Sequence, residues 1–209
     1  MTESRACSDA RFISRVEGIE AFPHLVRLLA RGTPIGMEQL AALAGRPEGE
    51  VDRLLRSQPG TDWDEHGRLV GFGLTLRPTQ TRYTVNGHTF YTWCATDTLL
   101  CTLIIGQPAV VESTCPVTGQ PIRLKLRPDA IVSVDPAGAV VSHPRRGEPV
   151  ADLRAELCDH GHFFASPAAA NTWATEHPEG QVLTVAEAFE DCRQTFHELG
   201  WSASKEAPR

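Results

Sequence analysis

Cys94 and Asp97 stand three positions apart in "YTWCATDTLL", residues 91–100, directly after an aromatic run. On a helix that spacing puts a thiol and a carboxylate on one face, with Cβ atoms about 5–6 Å apart. A thiolate is a nucleophile and a ligand for soft metals, and a carboxylate beside it can carry a proton. The chemistry on offer is metal–sulfur bonding coupled to proton transfer, if a further ligand reaches the same place.

Five other cysteines compete for that role: Cys7, Cys101, Cys115, Cys158 and Cys192. Cys101, in the apolar run "LLCTLIIG", and Cys192, inside the last helical pattern, read as small buried hydrophobes. Cys7 lies in a polar terminus and carries no signal. A second reading is a metal site in "CDHGHFF", where Cys158, His160 and His162 alternate and Cys115 or Cys94 completes the ligands. Zinc uses such residues, but its usual spacings differ and no CxxC pair is present. His160 and His162 read better as structural, one outward and one packed near Phe163 and Phe164. A third reading joins Cys94, Asp97 and Cys158 in one site, which spacing alone cannot establish.

The elements that must position these residues fall into two parts. Up to about residue 80, "GIEAFPHLVRLLARG" has Phe22, Leu25, Val26, Leu28 and Leu29 at helical spacing. "TPIGMEQLAALAGRPEGEVDRLLRS" follows as helix, turn at Gly45, and helix from Pro47, with Leu40, Leu43, Val51, Leu54 and Leu55 facing inward. Turns at Gly67 and at Asn86-Gly87 announce two hairpins. This predicts a winged-helix-like unit over 1–80. Residues 81–209 read as the core that carries Cys94, Asp97 and Cys158: a mixed or antiparallel sheet with flanking helices. "PAVVEST" and "PIRLKLRP" form a hairpin, and "DAIVSVDPAGAVVSHP" reads as strand–turn–strand. A helix starts near Ser166 or Pro167, and another, opened by Thr184 with Glu187 at capping-box spacing, precedes a frayed tail. The fold class is α+β.

Composition excludes several functions. The formal net charge is −6, so the basic footprint of a nucleic-acid binder is missing. Up to Arg77 there are ten arginines and no lysine against eleven acids, and the second helix of the helix-turn-helix opens with Glu48, Glu50 and Asp52. Acids there would face phosphates, so this unit reads as structural or lid-like rather than as a DNA-binding metal sensor. No window has the roughly 18 apolar residues of a membrane span. The N-terminus is polar without a signal-peptide core, and the expectation is a cytoplasmic protein with reduced cysteines.

Three ordered motifs carry a family resemblance. "YTWCATDTLL" followed by "IIG", then "STCPVTGQPI", then "LCDHGHFFAS" with Trp173 downstream, resemble the organomercurial lyase (alkylmercury lyase) family. "GRLVGFGLTLRPT" is similar to that family's stretch leading into the catalytic half, so the resemblance runs from about residue 20 to 200. It implies protonolysis of the carbon–mercury bond by Cys94, Asp97 and Cys158, which would also hold the mercury. Cys115 matches a structural cysteine. Asp159 stands where some members have a second cysteine, and its charge bears on the acidity of Cys158.

The residue types suit that reaction. Soft mercury prefers thiolate sulfur. A helix beginning at Cys94 would favour its thiolate through the backbone dipole, while partial burial and a neighbouring thiolate would raise the Asp97 pKa. Asp97 would move a thiol proton to the departing carbon. Trp93, Phe163 and Phe164 are candidates for an apolar wall around the organic group. No cofactor is expected, since mercury comes with the substrate. Cellular thiols, or a mercuric reductase, are the implied acceptors of Hg(II). The alternative is a non-catalytic thiol protein that binds and delivers soft metal on the same scaffold; it would need the sulfurs but not Asp97.

Overall fold

The computed structural model describes residues 22–57, 60–144 and 152–202. Cys7, the question of whether residues 1–20 cover the site, and the tail from 203 lie outside the described residues.

The N-terminal helices form where apolar residues recur at helical spacing. Phe22, Leu25, Val26 and Leu29 make the buried face of α1 (Phe22–Leu29). α2 (Met37–Ala44) stops at Gly45, whose φ of +62° takes the left-handed conformation that ends helices. Pro47 then caps α3 (Glu48–Arg56), with Glu48 and Glu50 in the first turn and Arg53 and Arg56 in the last. Those charges complement the helix dipole, which gives the acids a structural purpose. One expectation fails here. Leu40 and Val51 are buried, but Leu43 is 39% exposed and Leu54 is only partly covered. Helices this short reach the core mainly through Leu40, Ala41 and Val51, leaving the next turn of α2 in solvent.

Eight strands build the main sheet: β1 (Asp62–Trp63), β2 (Leu69–Phe72), β3 (Leu74–Thr75), β4 (Thr81–Val85), β5 (His88–Thr92), β6 (Ala109–Thr114), β7 (Pro121–Arg127) and β8 (Ala130–Asp135). Their order is β1-β2-β3-β5-β4-β6-β7-β8, and every pair is antiparallel. The Asn86-Gly87 turn joins β4 to β5 with φ of 51° and 77°, matching a two-residue hairpin turn. In β7, Ile122, Leu124 and Leu126 point inward and alternate with exposed residues. The sheet runs without a break past residue 80, between β3 and β4.

Between β5 and β6 lies α4 (Ala95–Ile105), apolar on nearly all sides and buried from Asp97 to Ile105. Its polar groups are satisfied internally. The Thr98 hydroxyl donates to the Ala95 carbonyl, the Thr102 hydroxyl donates to that of Thr98, and Tyr83 Oη meets Thr102 Oγ1 at 3.1 Å. Helix α4 packs against α1 and against α7 (Val185–Glu198). Helix α7 opens with the Thr184/Glu187 capping box.

The segment 129–144 does fold as strand–turn–strand, with β8 as its first strand, but its second strand, β9 (Val140–His143), leaves the main sheet. It pairs with β10 (Phe163–Phe164) and β11 (Gln181–Thr184) in a second, three-stranded sheet. One helical turn, α5 (Leu153–Glu156), and a 3₁₀ turn (Cys158–His160) lead into β10. The helix predicted from Ser166 or Pro167 starts instead as a 3₁₀ turn (Ala168–Ala170) before α6 (Asn171–Glu176). Among the described residues no helix is long and apolar enough to cross a membrane.

Candidate active site

Cys94 is the N-cap of α4, with extended backbone (φ −137°, ψ 172°). Its position is held from both sides. The Trp93 N–H donates to the Gly73 carbonyl at 3.0 Å, the Ala95 N–H donates to the Gly161 carbonyl at 3.0 Å, and the Thr92 hydroxyl donates to the Cys94 carbonyl at 3.0 Å. Asp97 completes a capping box with sulfur in place of the usual hydroxyl. The Asp97 N–H donates to Cys94 Sγ at 3.3 Å, and the Cys94 N–H donates to Asp97 Oδ2 at 3.0 Å.

Cys158 arrives from the other side on the 3₁₀ turn. That turn is stapled to β9 by Ser142, whose hydroxyl donates to the His160 carbonyl at 3.0 Å and accepts from the His162 N–H at 2.8 Å. Gly161 supplies the clearance: a Cβ there would lie 2.9 Å from Cys94 Cβ. The result is that ligand atoms of Cys94, Asp97 and Cys158 lie within 4.8 Å of one another, on residues that are 8%, 9% and 8% exposed. The structure thus brings together residues 61 and 64 positions apart in the chain.

Electrostatics divides the labour. The Cys94 thiol is pushed well up, first by its hydrogen bond with Cys158, then by burial and the Asp97 charge; the Asp97 N–H opposes this but is outweighed. Cys158 gains from that same hydrogen bond, which draws its pKa down. Burial and the charges of Asp97 and Asp159 push it up by more, with Arg154 pulling back. Asp97 is pushed up to about 6 by burial, against the lowering effect of its hydrogen bonds with Cys94. The helix terminus therefore does not by itself deliver a Cys94 thiolate.

The other predicted residues have partners of their own. Trp93 is 9% exposed, its indole N–H donating to Asp62 Oδ2 at 3.0 Å and its ring centroid 5.8 Å from that of Phe72. Phe163 and Phe164 are 1% exposed and pair with Val141 and Val140 of β9. Cys115, 1% exposed, begins the turn between β6 and β7, where its carbonyl accepts from the Gly119 N–H. Burial pushes its thiol up, but hydrogen bonds from the Thr118 hydroxyl and the N–H groups of Ala165, Thr118 and Val117 bring it below the ordinary value. His160 does not join the trio: its Nδ1 lies 3.2 Å from Nε2 of His177, whose other nitrogen donates to the Trp173 carbonyl. His162 stands edge-on to Phe164. Among the described residues the only cluster of three such ligands is Cys94, Asp97 and Cys158. Asp62, Arg154, Gly73 and Gly161 escaped sequence reasoning, for no spacing links them to the motifs they support.

Known proteins share this arrangement's framework. The alkylmercury lyase family matches residues 74–197, and the helix-turn-helix domain of alkylmercury lyase matches residues 19–73. The alkylmercury lyase of Staphylococcus epidermidis is 45% identical over 169 residues, 81% of this chain and 78% of that protein. That of Bacillus cereus is 46% identical over 81% of this chain and 77% of its own length, and that of Pseudomonas putida 42% over 80% and 79%. The crystal structure of the mercury-bound form of MerB2 aligns with a TM-score of 0.77, covering 91% of this chain and 98% of that one at 21% identity, a likeness of fold. With a family match over more than half its length and relatives this similar, the chain belongs to the alkylmercury lyase family.

Proposed function

We propose that this chain cleaves the carbon–mercury bond of alkyl- and arylmercury compounds by protonolysis, releasing a hydrocarbon and Hg(II), with Cys94, Asp97 and Cys158 as the reacting groups. The observation that carries this reading is the placement of two sulfurs and a carboxylate within 4.8 Å of one another. Binding soft metal requires only the sulfurs. A buried acid with a pKa of about 6 beside them adds the proton carrier that bond cleavage requires, and this favours an enzyme over a delivery protein.

The steps follow from the hydrogen bonding. Asp97 is fixed beside Cys94 by their reciprocal cap and is reserved for the Cys94 proton, so Cys158 is the sulfur that engages mercury first. Cys158 displaces the thiolate ligand that accompanies the organomercury ion, and that ligand leaves as a thiol carrying the Cys158 proton. Asp97 takes the proton of Cys94 as that second sulfur bonds to mercury. With two thiolates on the metal, electron density moves onto the carbon. The Asp97 proton then passes to the carbon as the Hg–C bond breaks, which returns Asp97 to its carboxylate and leaves Hg(II) on both sulfurs. No cofactor takes part. External thiols extract the product, with a mercuric reductase as the natural acceptor. Trp93 lines the organic group, with Phe163 and Phe164 backing the wall.

The winged-helix-like unit supports the site rather than binding DNA, since α3 opens with acids that serve its own dipole. A cytoplasmic location suits both the free thiols and the acceptor. The test is phenylmercury incubated with the protein and excess thiol: benzene detected by gas chromatography is expected, and no release overturns the reading. Cys94→Ser and Cys158→Ser should each abolish release, because a hydroxyl cannot replace a soft thiolate.

A further inference from the structure

Asp62, on the two-residue strand β1, is 6% exposed and accepts from three donors. The Thr75 hydroxyl reaches Oδ2 at 2.9 Å, the Trp93 indole N–H reaches Oδ2 at 3.0 Å, and Arg154 Nη1 reaches Oδ1 at 2.6 Å. The Arg154 guanidinium also lies over the Trp93 ring, 5.0 Å from its centroid, and its Nε is 3.8 Å from Asp159. Space for this contact is kept by glycines. A Cβ on Gly71 would meet Asp62 Oδ2 at 2.6 Å, and one on Gly60 would meet Arg154 Cβ at 2.5 Å.

We infer that Asp62 and Arg154 form a clasp that sets the separation of Cys94 and Cys158. Trp93 precedes Cys94 in the chain, and Arg154 precedes Cys158 by one helical turn, so one buried carboxylate fixes the approach to each sulfur. The clasp matters because the segment carrying Cys158 has little stability of its own. It is one α turn, capped by Asp152 through the N–H groups of Arg154 and Ala155, followed by one 3₁₀ turn. Segments this short do not hold a helical conformation in isolation and take their geometry from tertiary contacts. Arg154 supplies that contact across 92 residues of chain. Arg154 and Asp62 are positioning residues: they touch neither mercury nor the proton in transit, and they act through the sulfurs. The inference rests on reading Cys94 and Cys158 as the mercury clamp.

The test uses the full chain with Arg154→Gln, Arg154→Lys and Asp62→Asn, and Val51→Ala as a control for lost stability at a buried site in α3. Two readouts are taken on phosphine-reduced protein, well below each melting temperature. One is affinity for phenylarsine oxide, which needs two adjacent thiols but undergoes no protonolysis. The other is kcat and KM for benzene release from phenylmercury. Arg154→Gln and Asp62→Asn should lose roughly 10–100-fold in arsenical affinity and in kcat, the usual cost of removing a residue that orients a metal ligand. Arg154→Lys should recover part of both, and Val51→Ala should change neither. Retained arsenical affinity and kcat in Arg154→Gln and Asp62→Asn overturns the clasp, as do equal losses in Val51→Ala. If Arg154→Gln does not fold, Asp62→Asn and Arg154→Lys decide. Absence of benzene from the unmodified chain would sink the proposed reaction, while the arsenical titration would still judge the clasp.

Discussion

Asp97 and Cys94 cap one another: each donates its backbone N–H to the other's side chain, at 3.3 Å to sulfur and 3.0 Å to carboxylate oxygen. The acid is thereby fixed beside the sulfur whose proton it is placed to take. Asp97→Asn keeps an oxygen to accept from the Cys94 N–H, so the cap survives while proton transfer does not. Hg(II) affinity should stay within a few-fold of the unmodified protein, read by competition with a chromophoric chelator. Benzene release should fall by about 10²–10⁴-fold, the usual contribution of a positioned acid–base group. Undiminished release would remove Asp97 from the mechanism.

The same burial makes Asp97 a source of pH-dependent instability. Its folded pKa of about 6 lies above the ordinary 3.8, so the folded state binds this proton more tightly than the unfolded chain does. Stability from this group is fully present below about pH 4 and is lost as pH rises through 6, a loss on the order of 3 kcal/mol for a shift of this size. Asp97→Asn carries no charge to bury. Its melting temperature should therefore match the unmodified protein near pH 4 and exceed it increasingly up to pH 7. A constant difference across that range would contradict the assigned shift.

Much of this was legible in residue patterns, and what was not has a physical reason. The 3.6-residue apolar period located α1, the Asn86-Gly87 turn located the β4–β5 hairpin, and the Thr184/Glu187 box located the start of α7. The spacing of Cys94 and Asp97 placed them on one helical turn, although Cys94 proves to be the cap rather than a helical residue. Long-range placement left no local trace. Strand β9 follows β8 after a turn as a hairpin partner would, yet its partners are β10 and β11, because pairing depends on where the chain returns. Nothing local marks Asp62 or Arg154, for the same reason. Leu43 had the right type and period, but the helix pair is too small to cover it.

Cys115 tests the difference between holding the fold and doing chemistry. Its sulfur accepts from the Ala165 N–H, which ties the β6–β7 turn to the residue after β10. Cys115→Ser places a smaller, more strongly hydrated atom at a site that is 1% exposed. The variant should lose about 1–3 kcal/mol of stability by urea unfolding, as for other disturbed buried polar contacts. Its kcat at a temperature where it is fully folded should be close to that of the unmodified protein. A fully folded variant without benzene release would instead place Cys115 in the chemistry.

Gly161 sets the closest approach between the two halves of the site. A methyl group there would sit 2.9 Å from Cys94 Cβ and 3.6 Å from Cys94 Sγ. Both partners are short side chains on anchored backbone: the Gly161 carbonyl accepts from the Ala95 N–H, and the Gly161 N–H donates to the Cys158 carbonyl. Neither can swing aside, so Gly161→Ala must displace the Cys158 turn, Cys94 or both. The backbone of Gly161 is extended, with φ −92° and ψ 97°, which alanine adopts without strain, so the effect reports crowding alone. Misplacing reacting groups by a fraction of an ångström to 1 Å costs up to about 10²-fold in rate, and a fall in kcat of roughly 10–100-fold is expected. The ultraviolet mercury–thiolate absorption on Hg(II) titration should weaken or shift in parallel, because the sulfurs no longer meet one ion at their resting separation. An alanine variant with unchanged kcat and spectrum would mean that the Cys158 turn yields freely, and that Gly161 does not set the distance between the sulfurs.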